Sequence, residues 1–312
     1  MKKYAVGADI GGTTVKLGLF TTEGDLLEKW EIPTRTEDNG KNIFPDIAKS
    51  VGEVLEHKGL TIDDLEGVGL DVPGPVLPDG TVNRSVNIGW GVIKAAEIMS
   101  AEMGGIRTTV LNDANAAALG EMWKGAGVGH KDVCMITLGT GVGGGIIVDG
   151  KIVPGAFGAG GEIGHITINP NEKTQCTCGK YGCLEQYTSG RGIAKLCQKR
   201  LADSNEPSSL RDIDNPTAKE IYAEAGKGDA FALSLVDEVS SQLAMAMSFV
   251  SGVTDPDVFV IGGGVSKNGP IVTEHIEKFF REYAFHASKD AKIVLAKLGN
   301  DAGIYGAVRA LL

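Results

Sequence analysis

The stretch Tyr4-Ala5-Val6-Gly7-Ala8-Asp9-Ile10-Gly11-Gly12-Thr13-Thr14-Val15-Lys16-Leu17-Gly18-Leu19-Phe20 decides the architecture. Its flanks are apolar and β-prone, and the turn residues from Asp9 to Thr14 join them as two short strands. The pattern returns further on. Cys134-Met135-Ile136-Thr137-Leu138 leads into the turn Gly139-Thr140-Gly141-Val142-Gly143-Gly144-Gly145, and Ile146-Ile147-Val148 leads out. This weak internal repeat predicts two domains that share a first hairpin. The length of 312 residues agrees with that number of domains, at about 150 residues each.

Around the two hairpins, strands and helices alternate. Ile43, Ile47, Val51, Val54 and Leu55 mark a helix over 43–58. Val68-Gly69-Leu70-Asp71-Val72 is a strand entering the loop Pro73-Gly74-Pro75. A helix near 92–103, the strand Thr108 to Leu111 and an Ala-rich helix from Ala114 to Lys124 follow. Residues 150–190 are irregular and 203–216 form a polar loop. Asn215-Pro216-Thr217 predicts a helix start, with the cap at Asn215 and proline just inside. A helix over 230–251, the strand Val258 to Ile261 and a short helix from Ala302 to Leu312 complete an α/β pattern.

Composition narrows the function. Glycine reaches 45 residues against 11 prolines, too little of the pair for disorder, so the glycines serve turns and close backbone approaches. A net charge of −10, with no basic run, opposes a nucleic-acid partner. The apolar stretch after Lys2-Lys3 is broken at Asp9, too early for a signal peptide, and no apolar run reaches the roughly 18 residues of a membrane span. A cytoplasmic protein is expected. In that compartment Cys176-x-Cys178-x₄-Cys183, with His165 eleven positions before it, fits a Cys₃His structural zinc set better than a disulfide or free thiols. Cys134 and Cys197 read as small buried hydrophobes.

Glycine lets several backbone amides surround a phosphate. Three loops offer this: Gly11-Gly12-Thr13-Thr14, Gly139 to Gly145, and Gly262-Gly263-Gly264. Each alone reads as a tight turn; together they point to nucleotide binding. No Gly-Lys is followed by Ser or Thr, so there is no P-loop. Gly139 to Gly144 satisfies G-x-G-x-x-G, but Ile146-Ile147-Val148 continues as a strand where a dinucleotide fold needs a helix. Protein-kinase signatures are missing. At the strand-to-helix junction in Val110-Leu111-Asn112-Asp113-Ala114-Asn115, Asn112 or Asp113 reads as a helix cap, and a role at the active crevice is compatible with capping.

The motifs Asp9-Ile10-Gly11-Gly12-Thr13-Thr14, Leu138-Gly139-Thr140-Gly141 and Ile261-Gly262-Gly263-Gly264 resemble the phosphate and adenosine motifs of the actin/sugar-kinase superfamily. Gly161-Glu162-Ile163-Gly164-His165 and the segment Cys176 to Glu185 resemble the signature of ROK-family sugar kinases, and the likeness runs from residue 4 to the C-terminus. Within that family the chain is most like the ATP-dependent glucokinases. The resemblance implies a two-domain, actin-like (ribonuclease H-like) fold with an interdomain cleft. Residues 1–113 plus 300–312 would form the small domain and 114–299 the large one carrying zinc.

It further implies phosphorylation of the 6-hydroxyl of a hexose, glucose first, with Asp113 as base. Sugar contacts would come from Gly74, Asn87, Asn112, Asp113, Glu162, His165 and Glu185. ATP would meet Asp9, Gly11, Gly12, Thr13, Thr14, Lys16, Gly139, Thr140, Gly141, Gly262, Gly263 and Gly264, with Mg²⁺ beside Asp9 unless Asp9 only accepts turn amides. Zinc would take His165, Cys176, Cys178 and Cys183, and the family implies a homodimer. Ser85-Val86 and Gly91-Val92-Ile93 depart from the commonest pattern around Asn87. Gly74 serves equally as a rigid turn. Rival functions are kinases for fructose or N-acetylmannosamine, polyphosphate as donor, and a sugar-sensing regulator. The last needs a DNA-binding segment before the first glycine loop, which begins within about ten residues of Met1.

Overall fold

The computed structural model describes residues 2–312; Met1, the start of the expected first domain, lies outside them. Strands β1 (Tyr4–Ile10), β2 (Thr14–Thr21), β3 (Leu26–Pro33), β4 (Leu65–Val72) and β5 (Thr108–Asn112) form one sheet in the order β3-β2-β1-β4-β5. Strands β6 (Val133–Leu138), β7 (Val142–Val148), β8 (Lys151–Ile152), β9 (Val258–Gly262) and β10 (Lys292–Leu295) form the other, in the order β10-β9-β6-β7-β8. Read from the opposite edge, the second sheet has the order of the first. In each, the leading strand pairs antiparallel with its hairpin partner and parallel with the strand on its other side. The repeat seen in two hairpins therefore extends to whole sheets.

Helices α1 (Ile43–His57) and α2 (Ala95–Glu102) cover one face of the first sheet. Ile47, Val51 and Met99 are completely buried there against Val6, Ile10, Leu17 and Leu70. In such a core, Ile47→Ala costs about 2–5 kcal/mol. Helices α3 (Asp113–Lys124), α4 (Gly190–Asp203), α5 (Ala218–Gly226), α6 (Ala230–Thr254) and α7 (Pro270–Tyr283) follow. The last four pack around Cys134, Ile136, Phe259 and Ile261 of the second sheet. Cys134 and Cys197 are both buried free thiols within this core, as a hydrophobic role requires.

The terminal helix α8 (Ala302–Leu311) lies on the other face of the first sheet and against α3. Contact with the sheet depends on glycine: a Cβ on Gly69 would stand 2.0 Å from Ala307 O. Helix α3 packs in turn on β6 and β7, so α3 and α8 join the two sheets.

Two expectations are corrected. The second glycine turn is only Gly139 to Gly141; Gly143, Gly144 and Gly145 belong to β7. They serve close packing, since a Cβ on Gly145 would lie 2.6 Å from the Cβ of Ala118 on α3. Helix α5 is capped by Thr217, not Asn215, in a capping box with Glu220, and Pro216 stands outside it. Asn215 instead adopts a left-handed φ of 50°. Strand β3 and helix α7 were not foreseen.

Candidate active site

A cavity of about 910 Å³ opens at the C-terminal ends of β1, β4, β5 and β6, where α/β folds bind their ligands. It is lined by Asp9 and Lys16 from the first hairpin and Gly139, Thr140 and Gly141 from the second, so both glycine hairpins face one space. Gly74, Asn87, Asn112, Asp113, Glu162, His165, Glu185 and Gly263 complete the wall among the expected residues. Gly11, Gly12, Thr13, Thr14, Gly262 and Gly264 are not in that lining. The first four form the tip of the β1–β2 hairpin, tied to the end of β3 by Thr34, whose N–H donates to Thr13 O at 2.9 Å and whose hydroxyl donates to Gly11 O at 2.7 Å. Gly262 is buried at the end of β9, with Met135 in the place of its missing side chain. Gly264 is exposed beside the lining residue Gly263.

Helix capping divides the labour at the β5–α3 junction. Asn112 is the cap: its Oδ1 accepts the N–H groups of Ala114 and Asn115 at 3.0 and 3.2 Å. Its Nδ2 donates to Gly74 O at 3.1 Å and to Asp113 Oδ1 at 2.9 Å. Gly74 has a φ of 108°, and Asn112 thus ties that turn to the helix. Asp113 Oδ1 also accepts the Ala114 N–H at 2.8 Å; among the described residues no donor reaches Oδ2. Enclosure by the cleft pushes the Asp113 carboxyl up to about 6; the Ala114 N–H opposes the rise, and the negative charges of Asp9 and Glu162 add to it. The side chain still meets solvent through the cleft mouth. A carboxylate positioned so, ionised at neutral pH yet close to titration, suits proton abstraction.

At the opposite end, Lys16 Nζ pairs with Asp9 Oδ2 at 3.1 Å. Asp71 stands beside Asp9 in the parallel register of β1 and β4. It is 1% exposed, and neither of its carboxylate oxygens receives a hydrogen bond. Burial first, and then the charges of Asp9 and Asp113, push its carboxyl well above the usual range. Sequence reasoning passed over Asp71 because it sits inside the strand Val68–Val72, in no recognisable motif; a lone charge within a buried strand was the available signal.

The irregular region brings the remaining residues together. His165, Cys176, Cys178 and Cys183 offer one donor atom each, all within 4.8 Å of one another. Cys178 Sγ lies 3.7 Å from Cys183 Sγ, and Cys176 Sγ lies 3.9 Å from His165 Nδ1. A disulfide would need about 2.05 Å, whereas a tetrahedron with metal–sulfur bonds of about 2.3 Å has S···S edges of about 3.8 Å. With Nδ1 facing the thiols, His165 Nε2 faces Glu162 Oε2 at 3.9 Å in the cleft. Glu185 Oε2 accepts the Val142 N–H at 3.1 Å, and its Oε1 accepts the Thr177 hydroxyl at 3.3 Å. A Cβ on Gly141 would come 2.1 Å from Glu185 Oε2, so glycine there gives the carboxylate its place.

Comparison with known proteins supports the same reading. The chain is 43% identical to a glucokinase from Halalkalibacterium halodurans, over 97% of this chain and 93% of that one. A ROK hexokinase structure from Thermus thermophilus superposes with a TM-score of 0.82 at 30% identity, covering 98% of this chain and 97% of that one. The structure of a ROK family glucokinase from Streptomyces griseus, in complex with glucose and AMPPNP, gives 0.76 at 34% identity and covers 98% of both chains. The fold is thus the actin-like α/β architecture of these kinases. The sequence pattern of the ROK family matches residues 5–311, and with that match the chain belongs to the ROK family.

Proposed function

We propose that this protein transfers the γ-phosphoryl group of ATP to the 6-hydroxyl of a hexose, glucose foremost. The observation that carries this is Asp113: a capped helix start holds one carboxylate oxygen and leaves the other free in a cleft lined by two glycine hairpins. The glucokinase relatives, one of them bound to glucose and AMPPNP, favour the same chemistry. Asp113 Oδ2 accepts the proton of the sugar hydroxyl as its oxygen attacks phosphorus. Asn112, Asn87, Glu162, His165 and Glu185 bind the other hydroxyls, since carboxylates and amides accept or donate to a polyol in pairs. The amides around Gly139, Thr140 and Gly141 and around Gly263 face the nucleotide, and Gly11 to Thr14 close over its phosphates.

Two metals fit the residues present. Three thiols and an imidazole at near-tetrahedral separations suit zinc; four protein ligands leave no open position, so its role is to hold His165 and the Glu185 segment rigid. The oxygen donors near Lys16 suit Mg²⁺, held beside Asp9, which neutralises charge on the phosphates. The two sheets mark two lobes, bounded near Asp113 and Asn300, that close over both substrates. Exposed Phe249, Val253 and Phe285 on the second lobe suit a homodimer contact. No helix of the described residues is long and apolar enough to cross a membrane, and free thiols suit the cytoplasm.

The test is an ATP-consumption assay across hexoses and amino sugars. Glucose should give the highest kcat/KM. Preference for fructose or N-acetylmannosamine would reassign the sugar; no ATP consumption with any of them would overturn the proposal.

A further inference from the structure

Asp71 is a carboxylate whose surroundings within the chain do not account for it. Two residues before Asp9 and Asp71 on their strands, Gly7 and Gly69 abut α8. Side chains on a strand repeat every second residue, so both aspartates project from that same face, over the first turn of α8. The fit is tight: a Cβ on Gly303 would lie 2.9 Å from Asp71 Oδ2. Asp71 is nonetheless unpartnered at both oxygens while 1% exposed. Lys16, the cation at this end of the cleft, is engaged by Asp9. Among the described residues no cation forms an ion pair with Asp71.

We propose that Asp71 and Asp9 jointly hold the divalent cation that accompanies the nucleotide, with Asp71 supplying a second carboxylate from the floor of the cleft. The proposal rests on the phosphoryl-transfer reading above. Mg²⁺ is a hard ion that takes oxygen ligands, keeps several waters and is commonly bound by one or two carboxylates together with substrate phosphates. Asp9 and Asp71 are such a pair, and the thiol cluster, a soft donor set, stands apart from them. The cation would supply the counter-charge that Asp71 lacks.

The consequence is a thermodynamic coupling between metal and nucleotide that can be measured with no turnover. AMPPNP binding is titrated calorimetrically, with glucose present, once in excess Mn²⁺ and once in EDTA. In Asp71→Asn, the factor by which metal tightens AMPPNP should fall about tenfold or more from the wild-type value. Should Asp71→Asn not fold, Asp71→Ser carries the same comparison. A folded variant with the wild-type coupling factor would overturn the proposal and leave Asp71 a packing group. If wild-type protein still phosphorylates a hexose, that failure touches Asp71 alone; a wild-type protein without kinase activity defeats the underlying reading.

Discussion

Asp113→Asn separates the chemistry from the binding and the fold. Asparagine keeps the shape and the acceptor for the Ala114 N–H, so the α3 start and the sugar contacts survive. It cannot take a proton. General-base assistance is worth about 10²–10⁴ in rate, or about 2.7–5.4 kcal/mol of barrier, so kcat should fall at least about a hundredfold with the glucose Kd little changed. With the carboxyl at about 6, the wild-type enzyme is about 97% in the basic form at pH 7.5 and about 10% at pH 5. Its kcat/KM should therefore fall about fivefold between pH 6 and pH 5 and approach about tenfold per unit below that. The residual activity of the variant should lack that limb.

The same shift fixes a sign for stability. The folded carboxyl titrates at about 6, above its ordinary value of 3.8. Between those values the folded state binds more protons than the unfolded one, so stability declines as pH rises through that window. Above it the decline is complete, and the ionised Asp113 is a standing cost at pH 7. Asp113→Asn should thus melt higher than wild type at pH 7, and the advantage should vanish below pH 4. A coupled spectrophotometric assay over pH 5–9, with calorimetric melting of both proteins, reads all of this. Turnover within a few-fold of wild type, or an acid limb retained in the variant, would refute the role given to Asp113.

Other outcomes follow from the wall opposite. Zinc analysis of purified protein should find about one ion per chain, and Cys178→Ala should lose it, melt lower and raise the glucose KM about tenfold; zinc-free wild type that stays folded and active would end that part of the case. Gly141→Ala forces the Glu185 carboxylate from its place 2.1 Å from the new methyl. Its glucose KM should rise several-fold with kcat mostly kept, and an unchanged KM would remove Glu185 from sugar binding.

Much of the fold was legible because it is written in local signals. Alternating apolar runs around Asp9 to Thr14 and around Gly139 gave both leading hairpins, and the spacing of Ile43, Ile47 and Val51 gave α1. Three readings failed, each for its own physical reason. Gly143 to Gly145 look like turn residues, but helix α3 packs on Gly143 and Gly145 and the segment from Gly161 to Ile163 on Gly144, so all three are strand residues that must lack side chains. Asn215-Pro216 has the grammar of a helix start, yet Thr217 with Glu220 three residues on has a better one, because the box satisfies two donors instead of one. Strand β3 alternates half-buried and exposed positions on the sheet edge, so few of its side chains announce a core.

The site divides along the same line. Candidate residues marked by short-range spacing, such as Asp113 after its cap or His165 eleven positions before Cys176, are legible in sequence. Asp71 does not, since its meaning comes from a strand pairing across 62 residues of chain that sets it beside Asp9. The duplicated sheet order explains why such a place exists at all. Two related sheets, joined through α3 and α8, turn the C-terminal ends of their leading strands toward one cavity, and the helix that docks on Gly69 brings its first turn to the cleft floor. An acidic residue at that junction is shut away from solvent with neither carboxylate oxygen accepting a hydrogen bond, and is left to be balanced by whatever enters the cleft.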